Sequence, residues 1–166
     1  SHALQKARKL PKNFNKNNVN VLLFHIPKEQ IPEKTLKYFD HDPKQVEKMV
    51  NSSTCFAKFF KRRNEIRAAI VVFPDHLSPR VMRACIVEEL TQIMGLANDS
   101  DRVSPSIFND HSLYNELTGH DRTLLKLLYN PRIHIGMPRK QALKVAEQIL
   151  KEIPPTQLPK KMEMSQ

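Results

Sequence analysis

The chain has 166 residues, 40% of them hydrophobic, which is enough for one domain with a single core. It contains no apolar stretch near the roughly 20 residues of a transmembrane helix, and no signal-peptide pattern. The formal net charge of +10 indicates a solvated basic surface or an anionic partner. Because aromatic residues are not interleaved with the basic ones, we do not expect nucleic acid as a partner.

Positive charge is concentrated at the amino terminus, where residues 1–17 contain no acid. The cations of this segment are Lys6, Arg8, Lys9, Lys12 and Lys16. We predict a disordered basic arm here, a single domain over 18–152, and a loose tail over 153–166. The chain opens on Ser1-His2-Ala3, as cloned segments often do, so we expect that a targeting segment has been removed ahead of it.

The first half of the domain combines strands with short helices. Runs of β-branched and aromatic residues predict strands over 19–26, 54–60 and 66–73. The last two strands are joined by a short polar turn, which is typical of an antiparallel hairpin. Proline positions and capping residues predict two short helices between the first two strands, over 33–39 and 43–51.

The second half is helical. The longest pattern runs over 79–97, and two further helices are predicted over 118–130 and 138–152. Thr118 is placed to cap the helix over 118–130, with Asp121 as the acid of a capping box. We therefore predict an α+β fold, in which a small antiparallel or mixed sheet of about three strands packs on a long central helix followed by two C-terminal helices.

The chain has two cysteines, Cys55 and Cys85. They are too far apart in sequence for the usual C-x-x-C metal pair. Their spacing leaves two states open: a disulfide in an oxidising compartment, or two buried free thiols.

The central helix carries the one conspicuous chemical feature. On a helical wheel with Ile86 as reference, the apolar arc includes Met82, Cys85, Leu90, Ile93, Leu96 and Ala97. Glu89 falls inside this arc. Because an unpaired buried carboxylate costs several kcal/mol, Glu89 must be protonated, paired or facing a cleft. It is therefore either a structural hydrogen-bond acceptor or a general base in a groove.

The segment 88–98 resembles the active helix of zincin metallopeptidases, H-E-x-x-H followed by x-x-G-L. Glu89 corresponds to the catalytic glutamate of that motif. Glu88, Gln92 and Asn98 stand where the metal-binding histidines of a metzincin would be. The resemblance implies a zincin-like fold. One carboxylate and two amides hold zinc poorly, so we expect no metal and no other cofactor.

Two downstream features resemble metzincins as well: the segment 106–109, similar to the turn beneath their metal with Phe108 in place of methionine, and the helix that follows Thr118. The domain also resembles a proteobacterial family of proteins often described as lipoproteins, in which it has no assigned function. The residues that carry this second resemblance lie in 85–92, 95–101, 106–110, 117–118 and 127–137.

This second resemblance implies an exported protein of the periplasm or cell envelope, which favours a Cys55–Cys85 disulfide. It also implies a protein or glycan partner in the envelope, and peripheral membrane association or a lipid anchor on the native amino terminus. Our leading hypothesis is an exported, pseudo-metallopeptidase-like binding or accessory domain. One alternative is a hydrolase that uses Glu89 as general base with no metal or an unusual one. The other is an electrostatic binder of anionic surfaces through the basic arm.

The expected binding groove follows the central helix. We predict that Glu88, Glu89 and Gln92 line it. Further polar residues would surround it: Asn98, Asp99, Asp101, Asn109 and Asp110. These oxygens suit calcium, but their spacing matches no calcium-binding loop, and Asp and Asn are common in loops for turn formation. We therefore expect no calcium site.

Overall fold

A computed structural model describes residues 20–39, 42–52, 54–109 and 114–154. The strands are β1 (Val21–Ile26), β2 (Phe56–Arg62) and β3 (Glu65–Pro74). The helices are α1 (Ile31–Phe39), α2 (Pro43–Ser52), α3 (Pro79–Ile93), α4 (Gly119–Leu128) and α5 (Arg139–Glu152). The predicted α+β class is confirmed. The arm 1–17 lies outside the described residues, so that boundary stays a prediction.

The three strands form one mixed sheet in the order β1-β3-β2. β2 and β3 are antiparallel neighbours, which confirms the predicted hairpin. Arg63 and Asn64 form its turn with φ of 50° and 65°. Positive φ at both turn residues matches the right-handed twist of the strands. β1 pairs with β3 in parallel, with Val21 opposite Ala69.

Both faces of the sheet are covered, so the domain has three layers. One face packs against α3 through a core that contains Val71, Phe73 and Ile93. The opposite face packs against Ile31 of α1, through Ile70 and Val72. Successive residues of β3 point to alternate faces, and the whole stretch from Ala69 to Pro74 is buried. Because this central strand is buried on both faces, its sequence is a continuous apolar run and does not alternate between apolar and polar residues.

Helix α3 begins with Pro79, and the side chain of Ser78 accepts a hydrogen bond from the Val81 N–H as its N-cap. The prediction that this helix continues to residue 97 is wrong, because it ends at Ile93. The physical reason is Gly95, whose φ of +122° is incompatible with a helix. Residues 96–98 therefore belong to the following loop.

The wheel was also wrong about the centre of the buried face of α3. Ile86, taken as its reference, is 38% exposed. Cys85, Glu89 and Ile93 are buried instead. The apolar arc of α3 is wider than one interface: part of it faces the sheet, and part faces the chain that leads into α4. Periodicity alone does not separate these two environments.

Helix α4 has the predicted capping box, with reciprocal hydrogen bonds between Thr118 and Asp121. Asp121 is fully buried and does more than cap the helix. Its carboxylate also accepts hydrogen bonds from the Ser106 hydroxyl at 2.6 Å and from the Ile107 N–H at 3.1 Å. One carboxylate therefore ties the loop after α3 to the start of α4.

Helix α5 confirms the last predicted helix, with a start one residue later than expected. Arg132, which precedes it, contacts the Glu152 carboxylate with two nitrogens, at 2.8 and 2.6 Å. None of the described helices could span a membrane.

Candidate functional site

Glu89 is the most unusual polar residue of the domain. It lies on the side of α3 that faces the sheet, and it is only 5% exposed. The backbone of Ala57 in β2 hydrogen-bonds to its carboxyl group. Its second oxygen, Oε2, is buried and has no hydrogen-bond partner within the described residues. The sequence correctly placed this carboxyl group among apolar side chains.

The environment of Glu89 disfavours the charged form. Burial raises the pKa of Glu89 to about 8, and repulsion from Glu88 and Asp99 adds to the shift. The hydrogen bond from Ala57 lowers the pKa in part. At neutral pH the carboxyl group is therefore mostly protonated, which is a poor state for a general base.

The other residues expected to line the groove are spread around the end of α3. Glu88 and Gln92 are half-buried, and Asn98 is exposed. The Gln92 amide donates a hydrogen bond to the Asp99 carboxylate at 2.7 Å. This bond holds the loop after α3 against the helix. The structure thus brings Glu88, Glu89 and Asp99 into one electrostatic neighbourhood.

Asn109 organises the same loop from its other end. Its amide donates hydrogen bonds to the carbonyl oxygens of Asp101 and Val103, at 3.2 and 3.0 Å. Asp101 itself is exposed. The expected site residue Asp110 lies outside the described residues. The role of these side chains as ligand contacts stays a prediction.

The donor set does not fit the zinc site that the zincin resemblance implies. Among the described residues, no group of three or more His, Cys, Asp or Glu side chains is placed to hold a metal ion. Gln92, at the position of a histidine ligand, offers an amide that already bonds Asp99. Neutral amides are weak ligands for zinc.

The two cysteines form a disulfide, Cys55–Cys85, with a Cα–Cα distance of 5.9 Å. The implied bond is therefore confirmed, and the alternative of two free thiols is excluded. The disulfide joins the residue that precedes β2 to α3, one helical turn before Glu89. The disulfide and the contact between Glu89 and Ala57 consequently fasten the same helix to the same strand.

An open groove of about 320 Å³ lies on another side of α3, facing the segment that enters α4. Its floor is mainly apolar, formed by Ile86, Val87, Leu90, Thr91 and Leu117. The Thr91 hydroxyl donates to the Val87 carbonyl at 2.6 Å, so the helix itself satisfies it. Glu88, Glu89 and Gln92, which were expected to line a groove, are not among the described residues that line this one.

The rim of this groove is charged. Arg83, Glu116 and Arg122 stand around it, and Arg83 pairs with Glu116. The Arg122 Nε donates to the Leu117 carbonyl at 3.2 Å, which fixes the guanidinium group beside the floor. The sequence pattern contained one signal of this site, because Ile86 and Leu90 belonged to an apolar arc too wide for the sheet alone to cover.

The comparisons with known proteins identify one family. The chain matches the model of a family described as a protein of unknown function, DUF2927, over residues 2–148. The chain belongs to the DUF2927 family. This confirms the prediction of a domain without an assigned function, and the DUF2927 match includes both α3 and the groove beside it. No curated protein and no solved structure matches the chain.

Proposed function

We propose that this DUF2927 chain is a non-catalytic binding module of the cell envelope, and that its docking site is the groove beside α3. One observation carries the proposal: the would-be catalytic Glu89 is buried against the sheet, whereas an accessible groove opens on another side of the same helix. Accessible concave surface with a few oriented polar groups is what recognition requires.

The hydrolase alternative has less support from the geometry. A general base must come within hydrogen-bond distance of the proton that it removes. Glu89 is 5% exposed and mostly protonated at neutral pH, because burial raises its pKa to about 8. A substrate would have to reach a carboxyl group that is buried between α3 and the sheet.

The chemistry of the groove favours a protein segment over a glycan. Its floor offers aliphatic side chains such as Ile86 and Leu90, and none of the described residues that line it is aromatic. Sugar-binding sites commonly rely on the flat faces of aromatic rings, whereas an aliphatic floor suits an apolar side chain of a peptide. Arg122 at the rim suits an acidic residue next to that side chain.

The proposed location rests on the disulfide and on the resemblances. A disulfide such as Cys55–Cys85 persists in oxidising compartments and is rare in the cytosol. This supports export to the periplasm or cell envelope, with a lipid anchor as part of the same proposal. The degenerate zincin motif on α3 supports descent from a metallopeptidase whose zinc ligands were lost.

The groove can be tested without knowledge of the natural partner. A random peptide library is selected on the immobilised chain, and an enriched peptide is synthesised and titrated by fluorescence polarisation. We expect enriched peptides to combine an apolar residue with an acidic one. Ile86→Arg should weaken their binding by about tenfold or more, because it fills the floor with a charged side chain.

The matched control is Val81→Arg. Val81 lies on the same helix and is 40% exposed, close to the 38% of Ile86, but it does not line the groove. Its affinity should stay within about twofold of the natural chain. Equal binding by Ile86→Arg and the natural chain would place the site elsewhere. Peptide or ester hydrolysis that disappears in Glu89→Gln would replace the binding hypothesis with the hydrolase.

A further inference from the structure

In the part of the chain that the structure describes, β1 is an edge strand whose outer side has no neighbouring strand. The carbonyl oxygens of Asn20 and Ile26 accept hydrogen bonds from Ala69 and Asp75, at 2.8 and 3.0 Å, so they point toward β3 and the residue after it. Backbone groups of successive strand residues point to opposite sides. The N–H and C=O groups of alternate residues therefore point away from β3, at Val21, Leu23 and His25.

Side chains at the same positions lie on the sheet face that α3 covers. Val21 reaches the core on that face, but Leu23 is 55% exposed. Among the described residues, none pairs with the outward backbone groups of Val21, Leu23 and His25, and the Leu23 side chain is uncovered at the same place. An exposed apolar edge strand is a template for pairing with another strand.

Charge distinguishes the two edges of the sheet. Residues 21–26 carry no Lys, Arg, Asp or Glu, within a chain whose net charge is +10. The opposite edge, β2, carries Lys58, Lys61 and Arg62. Lysine on an edge strand discourages pairing, and two copies of a basic chain repel each other most where their cations meet. Within the paired residues 21–26, β1 therefore sets no charged side chain of one copy against a charged side chain of the other.

We propose that two copies of the chain pair through their β1 strands, antiparallel about a two-fold axis at Leu23. Paired residues in an antiparallel ladder have side chains on the same face, so a symmetric register has to be centred on one residue. Centred on Leu23, the register sets Val21 opposite His25 of the second copy. These are the residues whose backbone groups point outward, and each pair exchanges two hydrogen bonds.

The result is a continuous six-stranded sheet that runs across both copies. The two Leu23 side chains meet on the face beside α3 and shield each other from water. A single pair of strands buries less surface than a standard permanent interface, so the dimer is weak and depends on concentration. The inference is independent of the groove beside α3, which lies elsewhere on the chain.

Sedimentation velocity of the full chain from about 1 µM to about 1 mM tests the proposal, because weak interfaces dissociate in this range. We expect the mean mass to rise toward that of a dimer. Leu23→Lys should remain a monomer throughout, since it sets two like charges opposite each other. Leu143→Lys is the matched control, because Leu143 is 53% exposed on α5, and it should dimerise like the natural chain.

A cysteine at the axis tests the register itself. Residues of a hydrogen-bonded antiparallel pair have Cα atoms about 5.5 Å apart, within disulfide range. Mild oxidation should therefore cross-link Leu23→Cys into dimers faster than Leu143→Cys. A full-length chain that stays monomeric at the highest concentration overturns the proposal. Dimerisation by Leu23→Lys at the natural strength overturns it as well.

Discussion

Glu89 links the stability of the fold to pH. Its pKa is about 8 in the folded protein and close to 4.5 in the unfolded chain. Below pH 4.5 both states are protonated and Glu89 has no destabilising effect. Between pH 4.5 and about 8 only the unfolded state loses the proton, so the free energy of unfolding falls by up to about 1.4 kcal/mol per pH unit. Above about pH 8 Glu89 is ionised in both states, and the free energy of unfolding falls no further on its account.

We therefore predict that Glu89→Gln removes this component of the pH dependence. The free energy of unfolding of the variant, relative to that of the natural chain, should rise by about 3 kcal/mol between pH 5 and pH 8. Urea unfolding at several pH values measures this difference. Glu147→Gln, an exposed change on α5, is the control and should follow the natural profile. Parallel profiles for the natural chain and Glu89→Gln would show that Glu89 is ionised throughout.

Sequence reasoning was most informative at this residue. An acid inside an apolar stripe can be recognised from helical periodicity, because the step of about 100° per residue fixes the side of the helix. The depth of burial cannot be recognised in this way. It depends on β2, which comes earlier in the chain and meets α3 only in the tertiary structure. For the same reason the sequence did not show that Ala57 would contact the carboxyl group.

At the level of elements, the disulfide fastens α3 to the start of β2. Cys55 and Cys85 are separated by 30 residues, and a bond across a loop of this length stabilises by about 3 to 4 kcal/mol through the unfolded state. We predict that a reducing agent lowers the melting temperature of the natural chain, measured by circular dichroism. The double variant Cys55→Ala with Cys85→Ala should melt at the lower temperature with or without the reducing agent.

Thiol titration of the unfolded chain checks that reduction is complete. If the fully reduced chain melted at the temperature of the oxidised chain, the bond would contribute nothing to stability. The contact between Glu89 and the sheet would then be enough to hold α3 in place.

The end of α3 depends on Gly95. Its φ is +122°, and an added Cβ would lie 3.0 Å from Cδ2 of Leu128 in α4. We predict that Gly95→Ala lowers the free energy of unfolding by about 2 to 3 kcal/mol, from backbone strain and the close contact together. Denaturant titration measures the loss.

Gly136→Ala is the matched control for the backbone term. Gly136 also has a positive φ, +80°, but its added Cβ would have only ordinary contact, 4.0 Å from the Asn64 side chain. Gly136→Ala should therefore lower the free energy of unfolding by less, about 1 kcal/mol. Equal losses for the two variants would mean that the contact with Leu128 contributes nothing.

On the scale of the whole molecule, the elements followed from the sequence better than their arrangement did. Periodicity and proline positions identified three strands and five helices. The parallel pairing of β1 with β3 joins residues far apart in sequence, and no local pattern records it. The groove beside α3 has the same origin, since Arg83 and Arg122 become neighbours only when α4 is in place.

The basic arm is a separate prediction on this scale. Deleting residues 1–17 removes five cations and no acid, so the formal net charge falls from +10 to +5. We predict that the full chain binds vesicles containing anionic phospholipid and that this binding weakens as salt rises, since each cation near the surface contributes about 1 kcal/mol. Vesicle co-sedimentation measures it, with uncharged vesicles as the control.

The shortened chain should bind anionic vesicles much more weakly than the full chain. Equal binding by the two chains would assign the interaction to the folded domain. Binding that does not change with salt concentration would exclude an electrostatic origin.

The order of strands in the sheet sets the order in which the sheet can assemble. β3 is central but is the last strand in the sequence, so neither edge strand has a neighbour until β3 is available. β2 reaches it through a short hairpin turn, which closes within microseconds. β1 must close a loop between Val21 and Ala69, which are 48 positions apart in the sequence, at a greater entropic cost. The hairpin should therefore act as the folding nucleus, with β1 the last strand to join the sheet and the first to leave it.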